Sequence, residues 1–319
     1  MIKYYQVDAL NFSFLKFFLH SDPYYAVSKY NNSNPSKLYF EENEHLSRGN
    51  LLDCLITTPE MYDDIYFKDI IQEKPQDKIK SAIKYLFDVR VNDDFDNHTK
   101  TELLFALNRE AFYHSDRKEN GKLKSGGRDE DWRVDQLKQW SNYWEYLVKA
   151  DNRVIITQDE IDLAHECQAH LINQYGELIN KSEKQVALYL DMFGFFCKGL
   201  IDLAVIEDDS IEVIDLKSTS EPLYRIPKII RDKKWIYQVV WYTLLLSKKY
   251  PNKDIKMPSL LISSTSAPDN PQLVKVSKKD FKIALKGNSK VLGLKDAIIN
   301  YKKYLKGDKF SLNETNLWE

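Results

Sequence analysis

The spacing of apolar side chains changes along the chain and separates a helical first part from a second part that contains strands. Up to about residue 180, apolar positions recur at intervals of three and four residues, which predicts amphipathic helices. This spacing is most regular over residues 155–180, where we predict one long helix. The other predicted helical segments are 8–30, 46–58 and, with one interruption, 75–150.

Short runs rich in Val, Ile, Leu and Phe follow this helical part. Residues 186–206 and 211–216 form two such runs, and the polar turn Glu207-Asp208-Asp209-Ser210 separates them. Apolar runs joined by a short polar turn predict a β-hairpin. Beyond the hairpin we predict an apolar helix at 234–249, strands at 259–265 and 272–276, and a closing helix that begins behind a Ser277/Asp280 capping box and runs to about residue 305.

This order of elements predicts an α/β (α+β) fold in which helices flank a central mixed β-sheet. We expect residues 1–319 to form a single domain. Its core would comprise approximately residues 10–60 and 155–305, and approximately residues 75–150 would form a mostly helical inserted lobe. Within the lobe, the turn-rich and charged stretch 118–131 (KENGKLKSGGRDED) predicts an exposed loop.

Composition and charge narrow the class of protein. A net charge of −2 argues against a protein that coats nucleic acid through a large positive field, but it is compatible with a local basic groove. No segment approaches the ~20 apolar residues of a membrane span, and the N-terminus lacks a secretory pattern, so we expect a cytoplasmic protein. The odd number and wide spacing of Cys54, Cys167 and Cys197 predict neither a disulfide framework nor a zinc or iron–sulfur site.

Candidate chemistry is concentrated in the predicted hairpin. Residues i and i+2 of a strand point to the same face, so Asp215 and Lys217 would lie side by side. Asp202 lies on the preceding strand and can face Asp215 across the pair. Phosphodiester hydrolysis needs an activated water and neutralisation of charge on the phosphate. Divalent metal ions held by carboxylates supply both, with a cation placed near the attacking water. The three side chains match that requirement, and the backbone carbonyl of Leu216 is a further possible ligand.

The D-x-K tripeptide carries little information by itself, because the chain contains it five times. Only Asp215/Lys217 ends an apolar strand, where a charge is costly unless it is paired or bound to metal. The other four lie in polar or helical surroundings that predict solvated pairs: Asp116/Lys118, Asp232/Lys234, Asp254/Lys256 and Asp280/Lys282.

Four short segments, taken in order, resemble the motifs of the PD-(D/E)xK nuclease superfamily, in particular its RecB/RecE-like branch of phage-type exonucleases. They are Gly49-x-x-x-Asp53, Gly199-x-x-Asp202, Asp215-x-Lys217 and Gln238-x-x-x-Tyr242. The matching segments are scattered over about half of the chain. The resemblance implies a restriction-endonuclease-like core.

The resemblance also implies roles for these residues. Asp202 and Asp215 would ligate one or two Mg²⁺ or Mn²⁺ ions, and Lys217 would position the nucleophilic water. Gln238 and Tyr242 would contact DNA or support the site.

The first motif departs from the family pattern. Asp53 stands where the family usually has histidine. A carboxylate at this position suits Mg²⁺ or Mn²⁺ better than a softer ion. Glu183, at the start of the run leading into the first strand, is the alternative, so either acid can complete the metal site.

The expected activity is hydrolysis of duplex DNA by an exonuclease of phage-type recombination, replication or repair. The expected partners are DNA and a single-strand annealing or recombination protein. A structure-specific endonuclease of the same fold, or a degenerate member that binds without cutting, remain alternatives. The basic run RIPKIIRDKKW supplies the candidate contacts to the DNA backbone, namely Arg225, Lys228, Arg231, Lys233 and Lys234.

Overall fold

The chain divides into two compact units in the computed structural model. One unit comprises Met1–Tyr62 and Asp159–Glu319, and the other comprises Asp63–Gln158. The single-domain organisation stays a prediction. For residues 44–49, 118–119 and 122–123 only the backbone is described. The described residues are 7–19, 44–71, 73–91, 93–113, 118–119, 122–123, 128–151 and 153–307.

The described elements follow the predicted order of helices, hairpin, helix, strands and helix, but four short strands that the apolar pattern did not predict also lie among the first helices. The helices of the described residues are α1 (Phe12–Leu15), α2 (Glu44–Thr57), α3 (Tyr62–Ile65), α4 (Asp77–Asp88), α5 (Lys100–Arg109), α6 (Glu130–Lys138), α7 (Ser141–Ala150), α8 (Gln158–Lys181), α9 (Ile226–Asp232), α10 (Trp235–Lys249), α11 (Lys278–Lys286) and α12 (Leu294–Leu305). The strands are β1 (Tyr66–Lys68), β2 (Lys118–Glu119), β3 (Lys122–Leu123), β4 (Val154–Ile156), β5 (Glu183–Met192), β6 (Phe195–Ile206), β7 (Ser210–Thr219), β8 (Asp254–Ile255), β9 (Ser259–Ser264) and β10 (Ala267–Lys275).

A mixed sheet forms the centre of the first unit. Its strand order is β10-β9-β7-β6-β5, and the short strand β8 also pairs with β7. Strand β7 runs parallel to β9 and antiparallel to β6, while β5–β6 and β9–β10 are antiparallel pairs. The chain is therefore a mixed α/β protein with a central mixed sheet, as predicted.

Alternation along the strands creates two apolar layers. Leu203, Ile214 and Leu216 pack with residues of helices α2 and α8. Ala204 and Val213, each next in sequence to a member of that set, pack with helix α10. Because successive side chains of a strand point to opposite faces, one sheet supports helices on both sides.

The second unit is mainly helical and has a core of its own. Buried apolar residues of α4, α5, α6 and α7 form this core, and the two fully buried side chains of largest volume in it are Trp144 and Phe112. Buried Arg133 donates from Nε to the carbonyl of Phe112 at 2.8 Å and from Nη2 to Asn108 Oδ1 at 2.6 Å. These bonds satisfy a charged group that would otherwise be costly to bury.

The β6–β7 hairpin is confirmed, but the run 186–206 is wrong as one strand. It contains the turn Phe193-Gly194, with φ of +61° and +83°, that joins β5 to β6. Two consecutive residues at positive φ make the tight turn that joins antiparallel strands. The apolar character continues through this turn, so alternation alone could not reveal it.

The closing helix is also shorter than predicted. The Ser277 hydroxyl caps it by accepting from Asp280 N at 3.1 Å, but α11 ends at Lys286. Gly287 has φ of +74°, and a Cβ there would lie 2.8 Å from backbone atoms of neighbouring residues. The glycine therefore permits a turn that ends one helix before α12 begins.

Parts of the stretch 118–131, which was predicted to be an exposed loop, form regular structure. Lys118–Glu119 pairs with Lys122–Leu123, and Asp129 caps the helix that starts at Glu130. Residues 120–121 and 124–127 lie outside the described residues, as do residues 20–30 of the predicted opening helix. None of the described helices combines the length and the apolar character needed to cross a membrane.

Candidate active site

The sheet opens between β6 and β7 where the predicted acids lie. Regular pairing ends at Leu203↔Ile214, so the next positions in that register are Asp202 and Asp215. There β7 continues alongside β9, as far as Thr219. Asp202 Oδ2 accepts a hydrogen bond from the backbone N–H of Leu216 at 2.9 Å. The carboxylate of Asp202 thus provides an acceptor where the ladder to β6 has ended.

Asp215 is an acid with no solvent exposure. Its Oδ2 lies 2.7 Å from Lys217 Nζ in an ion pair, but neither Oδ1 nor Oδ2 accepts a hydrogen bond of regular geometry from the described residues. A buried carboxylate is costly unless it is paired and hydrogen-bonded. The ion pair with Lys217 compensates part of this cost, and Oδ1 has neither an ion pair nor a hydrogen bond within the described chain.

The ionisable groups of this cluster shift one another's pKa values. Burial raises the pKa of Asp202 well above its usual value, and the negative charges of Asp53 and Asp215 raise it further. Burial also raises the pKa of Asp215, although Lys217 opposes the change. For Lys217, burial lowers the pKa, but the carboxylates outweigh this and the net pKa is raised. The lysine is therefore a firmly protonated ammonium among acids that resist ionisation.

Asp53 joins the cluster from helix α2. Burial raises its pKa to about 6, with Lys217 opposing and Asp215 adding to the shift. Its Oδ1 is buried without a hydrogen-bond partner in the described chain, and Oδ2 accepts from Gln185 Nε2 at 3.3 Å. The structure thus brings together Asp53, Asp202 and Asp215, one acid from each of three of the four motif-like segments.

Gln185 is the residue that sequence reasoning missed. It lies opposite Asp202 in the β5–β6 register, at the one position where that pairing is interrupted. Its φ is +48°, a conformation that costs a non-glycine residue free energy and is often found at functional sites. Its side chain bridges Asp53 and Thr57, donating to Thr57 Oγ1 at 3.0 Å. The only sequence signal is a polar residue at the start of an apolar run.

The structure does not bring Glu183 into the cluster. Glu183 is exposed, pairs with Ala204 and takes no part in the electrostatics of Asp202 or Asp215. The left-handed turn of the backbone at Gln185 intervenes between Glu183 and the remainder of β5. Of the two candidates for a further acid, Asp53 is the one that reaches the cluster.

Gln238 and Tyr242 share one face of helix α10, as predicted. Gln238 Nε2 donates to the Tyr242 hydroxyl at 2.9 Å. The Tyr242 ring lies close to Gly199 of β6, three residues before Asp202. A Cβ on Gly199 would be 3.1 Å from Tyr242 Cδ1 and 2.5 Å from Leu245 Cδ1. The glycine of the G-x-x-D segment therefore allows helix α10 to pack closely against the strand that carries Asp202.

We expect Gly199→Ala to destabilise the protein by about 1–3 kcal/mol, the usual cost of an added methyl group in a packed core. The side chains of Leu245 and Tyr242 must shift, which disturbs the packing of helix α10 on β6, so activity should fall as well. Urea unfolding and the rate of DNA hydrolysis measure the two effects. Gly176→Ala is the control, because a Cβ there meets only Ile172 Cγ2 at 3.6 Å. Equal stability of Gly199→Ala and the wild-type protein would contradict the packing described.

The basic run lies directly after β7. Arg225, Lys228, Arg231 and Lys233 are exposed, whereas Lys234 is partly buried at the start of α10. Arg225 pairs with Glu221 at 2.7 Å. The segment thus presents cations near the end of the strand that carries Asp215 and Lys217.

The donor chemistry of the cluster fits a hard divalent cation. Asp53 Oδ1 and Asp215 Oδ1 are unsatisfied carboxylate oxygens, the ligand type that Mg²⁺ and Mn²⁺ prefer. Across the described ranges, no three acidic, histidine or cysteine side chains already converge as a ligand set. Lys217 Nζ instead provides the positive charge nearest to Asp215.

Comparison with solved structures finds a distant structural neighbour. No protein-family model and no curated protein sequence matches the chain. A crystal structure of a protein from Eubacterium rectale, named as a candidate exonuclease, aligns with a TM-score of 0.36 and 14% identity over 55% of this chain. The aligned part spans 62% of that protein's length. So low a TM-score leaves the geometry of the carboxylate cluster as the basis for any functional assignment.

Proposed function

We propose that the chain is a metal-dependent nuclease that hydrolyses phosphodiester bonds of DNA at the cluster of Asp202, Asp215 and Lys217. The observation that supports this most is the fully buried Asp215, which has an unsatisfied oxygen beside a second carboxylate and an ammonium group. Such an arrangement is costly in a purely structural role. Clustered acids whose pKa values are shifted by burial and by one another are typical of functional sites.

Asp202, Asp215 and Asp53, with the carbonyl of Leu216, would hold Mg²⁺ or Mn²⁺ as one or two ions. Such an ion, when bound, supplies charge stabilisation for the phosphate and lowers the pKa of water. Leu216 N–H fixes the orientation of the Asp202 carboxylate at 2.9 Å. Gln185 does the same for Asp53.

Lys217 acts as a donor in this proposal. The neighbouring carboxylates raise the pKa of Lys217 and so favour its ammonium form, which suits a donor and not a general base. It can orient a water by hydrogen bonding and stabilise negative charge on the phosphate. The bond to Asp215 keeps the ammonium at the site. Gln238 and Tyr242 hold helix α10 against Gly199 and so support the strand of Asp202.

The more specific form of the proposal is an exonuclease of duplex DNA, of the type used in phage recombination, replication or repair. Its support is the order of the four motif-like segments. A partner that anneals single strands belongs to the same proposal. The basic run Arg225–Lys234, four of whose five cations are exposed, offers the contacts to the DNA backbone.

Incubation of linear and closed circular duplex DNA with the protein tests this proposal. We expect degradation of the linear DNA alone, in Mg²⁺ or Mn²⁺ and not in EDTA. Degradation of both forms would instead identify an endonuclease. Binding without degradation of either form, in all three conditions, would contradict the nuclease proposal and favour a binding protein.

A further inference from the structure

Tyr224 is an aromatic side chain that the proposed site does not use. It is 82% exposed, compared with 56% for Phe105 and 46% for Phe196. The ring lies in the turn Leu223–Arg225, which joins β7 to helix α9. An aromatic ring so far out of the core contributes little to the free energy of folding, because it buries little apolar surface.

The turn that carries Tyr224 is held firmly. Leu223 packs against the buried cluster that includes Ile226 and Ile230. Arg225 N donates to the carbonyl of Pro222 at 2.9 Å, and Arg225 also pairs with Glu221. The exposed ring is therefore presented from a fixed backbone.

The same turn begins at the end of the strand that carries the site. Thr219, the last residue of β7, uses its hydroxyl to accept from Glu221 N at 3.1 Å. The Glu221 carbonyl accepts from Ser264 Oγ at 2.7 Å, and Ser264 is paired with Thr219. These bonds attach the turn to the ends of β7 and β9. Even a fully extended chain from Lys217 to Tyr224 would span only about 25 Å, so the ring lies within a few nucleotides of the carboxylate cluster.

Cations follow the ring along helix α9. Lys228 and Arg231 are exposed, are three residues apart and have no ion-pair partner in the part of the chain that the structure describes. An exposed aromatic ring beside backbone-neutralising cations is the arrangement by which proteins bind single strands, since bases stack on the ring and phosphates meet the cations. In a fully paired duplex the bases stack on one another, so few base faces are exposed for such a ring to stack on.

We propose that Tyr224 stacks on an unpaired base of the DNA strand that enters the carboxylate cluster. The proposal rests on the proposed function and specifies its substrate as a strand with at least one unstacked base near the cut. The interaction uses the ring face and not the hydroxyl. The cations of α9 would neutralise the phosphates next to that base.

The test compares Tyr224→Ala and Tyr224→Phe in binding to two duplexes, one blunt and one with a short unpaired end that carries 2-aminopurine. Fluorescence anisotropy in EDTA and in Ca²⁺, with intact DNA verified on gels, measures affinity apart from cleavage. We expect Tyr224→Ala to weaken binding of the unpaired end about tenfold, as for the loss of one base–aromatic stack. Tyr224→Phe should bind as the wild-type protein does. Tyr189→Ala, at a tyrosine of strand β5 that is 37% exposed, is the control.

The outcomes separate this proposal from the nuclease assignment. Unchanged affinity of Tyr224→Ala, equal losses in Tyr224→Ala and Tyr224→Phe, or no binding of the unpaired end by the wild-type protein would each overturn the stacking proposal. Hydrolysis of DNA by a Tyr224→Ala protein with unchanged affinity would leave the nuclease assignment intact. If Tyr224→Ala loses affinity and the wild-type protein binds DNA but never cleaves it, the result would support stacking and contradict the nuclease assignment.

Discussion

Replacement of Lys217 by alanine is expected to reduce metal-dependent DNA hydrolysis by a factor of at least about 10²–10³, the usual effect of removing one preorganised donor at a charge-developing site. The ammonium lies 2.7 Å from Asp215 and its pKa is raised, so it carries a full positive charge at neutral pH. No second lysine contributes to the pKa shifts of Asp202 or Asp215. Release of nucleotides from linear duplex DNA in Mg²⁺ measures the effect.

Two further variants make this result specific. Lys282→Ala removes the lysine of another D-x-K tripeptide, which is exposed on helix α11, and should keep the wild-type rate. Lys217→Met retains most of the side-chain volume and separates loss of charge from loss of packing. Circular dichroism and thermal unfolding verify the fold of each variant. Wild-type hydrolysis by a folded Lys217→Ala protein would place the chemistry elsewhere in the chain.

Asp202→Asn is expected to abolish hydrolysis and yet raise the stability of the metal-free protein. The raised pKa of Asp202 means that its ionised form is disfavoured in the folded state. Below ~3.9, the pKa of this carboxyl group in the unfolded chain, the protonated acid makes its full contribution to the free energy of unfolding. That contribution is lost as the pH rises through the raised pKa of the folded state. At pH 7.5 the wild-type protein carries this cost. Asparagine removes the charge and can still accept the hydrogen bond from Leu216 N–H.

Urea unfolding at pH 7.5 in EDTA should show a gain of about 0.5–2 kcal/mol for Asp202→Asn, the range of single stabilising substitutions. Addition of Mg²⁺ should stabilise the wild-type protein and not the variant, because a ligand that binds only the folded state shifts unfolding by mass action. Asp191→Asn changes an exposed acid of β5 and should leave both quantities unchanged. A variant that is less stable than the wild-type protein in EDTA would show that the Asp202 carboxylate serves a structural role.

The hairpin could be predicted because two local signals agree. Alternating apolar residues and the turn Glu207–Ser210 fix the register of β6 and β7, and that register brings Asp202 opposite Asp215. Lys217 could be predicted to lie beside Asp215 because residues i and i+2 of a strand point to the same face. The mixed sheet with flanking helices followed from the order of the elements.

Other features depend on contacts that no local pattern encodes. Nothing near Gln185 indicates a positive φ, because the conformation arises where β5 meets helix α2 and Asp53. The need for glycine at position 199 comes from Tyr242 and Leu245, more than forty residues away. The alternative acid, Glu183, was a hypothesis from its position at the start of the run that leads into the first strand, and that position does not reveal that its side chain is exposed.

The most direct test of the proposed metal centre is the anomalous scattering of Mn²⁺ in crystals soaked with MnCl₂. We predict an anomalous peak between the carboxylates of Asp202 and Asp215, at about 2.0–2.3 Å from oxygens of both, the range for hard divalent cations. The peak should be absent from Asp215→Asn crystals that diffract equally well. A wild-type structure in which Mn²⁺ occupies other sites while Asp202 and Asp215 keep only Leu216 N–H and Lys217 as partners would contradict the account.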